Sequence, residues 1–180
     1  MTTYIALLRG INVSGKKIIK MDDLKKYFES FGMKNVRTYI QSGNVIFQSP
    51  QTTNDRLAET LENKLKKILG FDVPVIIRTD AELKKIISKN PFTPKEMSAD
   101  TKLHVSLLSA KPSKENVDQL LETQSDTDEF RIVNSEVYIL CRGGYGESVF
   151  SNNFLEKKLG VKATTRNWAT LNKLVDLSSA

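Results

Sequence analysis

The chain has 180 residues, 39% hydrophobic and 27% charged, with a formal net charge of +6, the composition of a globular protein large enough to bury a core without covalent staples. One cysteine and one histidine exclude a disulfide framework and an ordinary zinc site, which needs several Cys or His ligands. No apolar run is long enough to span a bilayer. The opening MTTYIALLRG lacks the basic region and cleavage site of a secretory signal, and a lone cysteine without such a signal fits a reducing cytosol.

The charge is unevenly placed. Residues 1–90 hold 16 Lys+Arg against 9 Asp+Glu, and residues 91–180 hold 11 against 12. Such asymmetry marks either a surface for nucleic acid or membrane, or solvated helix faces. Lys25, Lys26, Lys64, Lys66, Lys67, Lys84 and Lys85 lie beside apolar helix positions, which favours solvated faces.

In chain order, Thr3–Arg9 reads as a short buried strand ended by Gly10, and a polar loop, Gly10–Lys17, follows. Asp22–Phe31 places Leu24, Tyr27, Phe28 and Phe31 at helical spacing, with Gly32 as its left-handed stop. Val36–Gln41 and Val45–Gln48 are strand-like and joined by Ser42-Gly43-Asn44, a tight hairpin signal. A helix capped by Asn54 or Asp55 carries Leu57, Leu61, Leu65 and Ile68 on one face and closes at Gly70. Val73–Arg78 is the next strand, and Thr79 with Glu82 forms a capping box for a helix to about Lys89. Asn90–Thr101, with Pro91 and Pro94, reads as a linker.

Beyond it, Leu103–Ser109 is a strand and Ser113 caps a helix. Phe130–Val133 and Val137–Cys141 form a hairpin turning at Asn134-Ser135. A helix over Ser148–Leu159 ends at Gly160, and an extended Val161–Thr164 leads into a last helix with Trp168, Leu171, Leu174 and Val175 on its buried face. The order β-α-β-β-α-β therefore occurs twice. It predicts an α+β fold of two ferredoxin-like halves, an internal duplication packed as one unit. The expected domains are a first half over residues 1–79 with an enlarged Gly-rich loop, a connecting helix and linker over 80–101, and a second half over 102–180 with an extra C-terminal helix. Insertions in loops cost little stability, so a long ordered one often has a job.

Three segments, LLRGINVSG at 7–15, TYIQSGNVIF at 38–47 and GYGESVFSNNFLEKKLGVKATTRNW at 144–168, resemble a bacterial family known as domain of unknown function 1697. The family's loop tends to read RGINVGG, and Ser14 stands here in place of the first of its two final glycines. The resemblance implies a compact α+β bacterial protein; it carries over no activity and no catalytic residue.

Gly10–Lys17 nearly fits the phosphate-binding pattern G-x-x-x-x-G-K-[ST], but Lys17 replaces the hydroxyl that holds Mg²⁺, and Ile18, Ile19 and Lys20 intervene before the helix. A nucleotide hydrolase is thereby disfavoured, whereas a looser anion-binding loop survives. The split β-α-β topology places the loop after Arg9 and the turn after Gln41 at one end of a sheet, ~10 Å apart. Arg9, Asn12, Lys16, Gln41, Ser42 and Asn44 are then candidates for one small polar ligand, unless they merely turn the chain. A second candidate cluster is Arg142 and Ser148, around a Gly-rich strand-to-helix link, with Arg166 and Asn167. Arg166, expected in the first turn of the last helix, opposes the helix dipole there. It wants an anionic neighbour, either Glu147 or Glu156, or else a ligand.

His104, Cys141 and the Ser148 context GYGES give no catalytic signature. The expected function is binding of a small anionic ligand, bearing phosphate or carboxylate, in the polar loops. The alternatives are a basic nucleic-acid-binding module and a structural or protein-interaction role. No cofactor, metal or membrane partner is expected, and the expected location is cytoplasmic.

Overall fold

The computed structural model describes residues 1–180. The first half runs β1 (Thr2–Leu8), α1 (Met21–Ser30), β2 (Lys34–Tyr39), β3 (Asn44–Ser49), α2 (Asn54–Leu69), β4 (Val75–Thr79) and α3 (Asp80–Ser88). The second runs β5 (Lys102–Leu108), α4 (Lys114–Leu121), β6 (Asp128–Val133), β7 (Glu136–Cys141), α5 (Asn152–Leu159), β8 (Ala163–Asn167) and α6 (Trp168–Ser179). Each half holds one antiparallel four-stranded sheet, ordered β2-β3-β1-β4 in the first and β6-β7-β5-β8 in the second. This is the split β-α-β arrangement, twice. The chain divides into two compact units, Met1–Lys84 with Lys173–Ala180, and Lys85–Asn172. No helix is long and apolar enough to cross a membrane.

Alternation along the strands explains the first unit's core. Tyr4, Ala6 and Leu8 share one face of β1 and pack with Leu24 and Phe28 of α1 and Leu57, Leu61 and Leu65 of α2. The intervening Ile5 and Leu7 are just as buried, as are Ile46 and Ile76 on neighbouring strands. A sheet buried on both faces reads as a near-continuous apolar run, which is how β1 reads. Along α2 the contact row is Leu57, Leu61, Leu65 and the partly buried Leu69. Ile68, expected on that face, is 46% exposed, because a row of i, i+4 steps drifts around the helix and leaves it at the edge.

The punctuation follows side-chain chemistry. Thr53, one residue before the expected cap, accepts from the Arg56 N–H, and Gly70 closes α2 with φ +79°. Thr79 and Glu82 make the reciprocal capping box ahead of α3 at 2.7 and 3.1 Å. The segment 90–101 is tied down within the second unit. Arg131 of β6 donates to the Pro91 carbonyl and pairs with Glu96 at 2.6 Å, with its guanidinium over the Phe92 ring. That pairing holds the Glu96 carboxyl down at about 2.

Two expected boundaries in the second half are corrected. The helix expected from Ser148 starts at Asn152, where Ser151 accepts from the Phe154 N–H; residues Tyr145–Glu147 before it form a single 3-10 turn. The extended piece expected to stop at Thr164 continues through Asn167, because β5 pairs with it from His104↔Asn167 to Leu108↔Ala163. Trp168, expected in the core, is half-buried.

Gly43 shows how tight the β2–β3 turn is. Its φ is +85°, and an added Cβ would fall 2.5 Å from Ile11 Cδ1 and 3.0 Å from Leu8 Cβ. Gly43→Ala should therefore lower stability by about 1–3 kcal/mol through the left-handed backbone and the overlap with Ile11. Gly144→Ala, with open space around its added Cβ, serves as the control. Urea unfolding of the two variants side by side checks this.

Candidate functional site

The loop between β1 and α1 is ordered by its own polar groups. Ser14 and Gly15 both have positive φ, 51° and 71°, the backbone of a type I′ turn. Val13 and Lys16 bridge across it, with the Lys16 N–H donating to Val13 O at 2.9 Å. Asn12, itself left-handed at φ 54°, uses its whole side-chain amide. Oδ1 accepts from the Ile19 N–H at 2.8 Å, while Nδ2 donates to Ile19 O at 3.0 Å and to Gln41 O at 2.8 Å. That last bond stitches the loop to the β2–β3 turn, so Asn12 and Gln41 do meet at one end of the sheet.

In the turn itself, buried Asn44 donates from Nδ2 to Tyr39 O at 2.9 Å and to Ser42 Oγ at 3.0 Å. Ile40, beside it, has φ +50°, a strained conformation for a β-branched residue. Asn12, Ser42 and Asn44 thus hold the scaffold. Lys17 Nζ is committed to Asp72 O at 2.8 Å and to the Phe71 ring. Lys16 and Lys20 are exposed, Arg9 is half-buried at the loop's root, and the N–H groups of Ser14 and Gly15 have no protein acceptor.

In the second candidate cluster the expected setting of Arg166 is corrected. Arg166 lies in strand β8, not in a helix's first turn, and is buried. Its Nη1 donates to Thr164 Oγ1 at 2.9 Å and to Thr165 O at 3.0 Å. Burial pushes its pKa down to about 10. Of the two acids offered as its neighbour, Glu156 accepts from the Ala163 N–H. Asn167 Oδ1 caps α6 by accepting from the Thr170 N–H at 2.8 Å. Arg142 is exposed and faces Glu129 at 3.5 Å, and Ser148 Oγ accepts from the Phe150 N–H.

Arg78 was missing from the candidates, yet it matches Arg166 in the register. Ile5 pairs with Arg78 on β4 as Val105 pairs with Arg166 on β8. Both arginines are buried, and each donates from Nη1 to the carbonyl of the residue before it. The sequence carried a signal: Arg78-Thr-Asp-Ala-Glu-Leu83 and Arg166-Asn-Trp-Ala-Thr-Leu171 share Arg, Ala and Leu at the same spacing.

A polar cluster in the second half also went unread. Thr165 Oγ1 meets Ser106 Oγ, the Tyr145 hydroxyl at 2.9 Å and Asn152 Oδ1 at 2.7 Å. The His104 ring stacks on Tyr145 at 4.8 Å between centroids, and its Nδ1 is buried without a partner. Burial, then the nearby Lys102 charge, holds the His104 pKa below its ordinary value. Burial likewise raises the Cys141 thiol to about 11, so it is no activated nucleophile. Neither sheet offers the exposed aromatic platform used in single-stranded RNA recognition; Phe47 is buried on the helix side of β3.

These features define an α+β protein of two ferredoxin-like halves with polar loops at the strand ends. The model of the family described as Protein of unknown function (DUF1697) matches residues 1–138, and the chain belongs to that family. A solved structure, that of the conserved bacterial protein SP0830 from Streptococcus pneumoniae, is similar in fold. It covers 100% of this chain and 99% of its own, with 20% identity and a TM-score of 0.76. No curated protein matches.

The depressed His104 has a pH consequence. The unfolded chain takes up a proton near 6.5 while the folded chain takes it up only at lower pH. His104 therefore costs stability progressively as pH falls below 6.5, and nothing well above it. Unfolding free energy measured in urea between about pH 7.5 and 5 should fall less steeply in His104→Gln than in the parent.

Proposed function

We propose that this protein binds a small anionic ligand, one bearing phosphate or carboxylate, at the Gly10–Lys17 loop. The observation that carries the reading is the Asn12 amide, which fixes the loop to Ile19 and Gln41 through three bonds. A loop held this firmly presents its tip in one shape, and preorganisation lowers the cost of binding. The Ser14 and Gly15 N–H groups at the tip lack protein acceptors, and such oriented amides favour an anion. Exposed Lys16 and Lys20 add positive charge, and Arg9 stands at the root with a guanidinium suited to bidentate contact.

Calorimetry with inorganic phosphate and a panel of phosphorylated and carboxylated metabolites tests this. Saturable binding is expected, and Arg9→Gln and Lys16→Gln should each weaken it by about 1.5–3 kcal/mol, the scale of a charge-assisted hydrogen bond. If no anion binds and the variants lose only stability, the loop is structural. Affinity for RNA or DNA that collapses steeply with salt would instead favour a nucleic-acid role.

A further inference from the structure

Of the nine glycines, six lie at positive φ, where glycine is the residue that fits. The other three, Gly143, Gly144 and Gly146, crowd into the link between β7 and α5. None of them is left-handed, and an added Cβ would meet open space at Gly144 and Gly146 and only an ordinary contact with Glu147 at Gly143. The observed conformation does not call for glycine at any of them. Each nevertheless carries glycine's entropic cost on ordering.

Beneath the loop lies the Tyr145 ring. It stacks on His104 and places its hydroxyl on Thr165. The direction of the bonds follows from the donor count. Asn152 Oδ1 can only accept, so Thr165 donates to it and Ser106 donates to Thr165, while the single Tyr145 proton is shared between Thr165 Oγ1 at 2.9 Å and the Phe150 carbonyl at 3.2 Å. The fold does not demand this polar floor. In the first half the register-equivalent positions are Tyr4 for His104, Ala6 for Ser106 and Ile77 for Thr165, all within the hydrophobic core. A buried His104 Nδ1 with no partner leaves one hydrogen-bonding atom unused beside the ring. Buried polar groups are normally satisfied, so such an atom marks a place for an additional partner.

We propose that Arg142–Val149 is a flap, and that Tyr145 occupies, when the flap is closed, a subsite for a planar hydroxyl-bearing ring of a small ligand. In the open form such a ring lies on the His104 imidazole and donates its hydroxyl to Thr165, as Tyr145 does. A second polar substituent reaches His104 Nδ1. This subsite is built from residues of the second unit and the anion loop from residues of the first, so either reading survives failure of the other.

The probe is p-cresol, the tyrosine side chain as a free molecule, titrated into the full chain. The single histidine gives one set of imidazole resonances to follow by NMR. In the wild type the expected result is a saturable shift of these resonances, with movement of the Gly143, Gly144 and Gly146 amides. A triple Gly143→Ala, Gly144→Ala, Gly146→Ala variant should fold with a melting temperature at or above that of the wild type and lose about tenfold in apparent affinity, because fewer molecules reach the open form. An unmoved wild-type His104 overturns the proposal, even if Tyr145→Ala binds p-cresol, since truncation alone makes a ring-shaped hole. A triple variant that folds and binds as tightly as wild type overturns it too.

Discussion

A primary amide has one acceptor and two N–H donors, and Asn12 satisfies all of them on backbone from two directions. The shape of one end of the first sheet depends on this. Ile19 is fixed beside Asn12, which sets where the chain turns into α1. Gln41 is fixed as well, which holds the β2–β3 turn against the end of β1. There Leu8 donates to Gly43 O at 2.8 Å, and Ile11 lies against Gly43 so closely that a Cβ there would push its Cδ1 aside. The twelve residues 9–20 that separate β1 from α1 therefore form a built loop, with an anchor at its root and a two-residue turn at its tip.

Much of the fold was legible because its signals are local. The Ser42-Gly43-Asn44 turn, the Thr79/Glu82 box, the Gly70 and Gly160 stops and the i, i+4 leucine row of α2 each follow from a few neighbouring residues. What failed depended on distant partners. Arg166 reads as helical because a Trp-Ala-Thr-Leu run follows it, but the edge of β5 recruits the chain as strand through Asn167. Periodicity cannot show which edge is free. The site was legible only as a list of polar residues. That Asn12 and Asn44 serve the backbone while Lys16 points to solvent depends on bonds spanning tens of residues, such as Asn12 to Gln41.

The two halves obey one topology and differ in what they bury. Both end their fourth strand with a buried arginine and a side-chain cap for the helix that follows, Thr79 in one and Asn167 in the other. On the helix-facing side they diverge. Tyr4, Phe28 and Phe47 form an aromatic cluster in the first half, while the second places His104, Ser106 and Thr165 in the equivalent strands. Apolar packing would have sufficed there, and each buried polar atom must be matched or it costs stability. The divergence separates a half whose distinctive feature is its loop from a half whose distinctive feature is its sheet surface.

Cys141 has a use outside its own biology. It is the only sulfhydryl in the chain and is fully buried, and burial first, then the Asp128 charge, raises its pKa. A disulfide reagent such as dithionitrobenzoate needs both access and thiolate, so the folded state withholds both. Residue 141 sits in β7, bonded on one side to β5 and on the other to β6. Its labelling therefore waits on an opening that uncovers the side of β7 packed against Phe150 and Leu155. The rate of chromophore release is a built-in clock for that event, readable without adding a fluorophore or altering a residue.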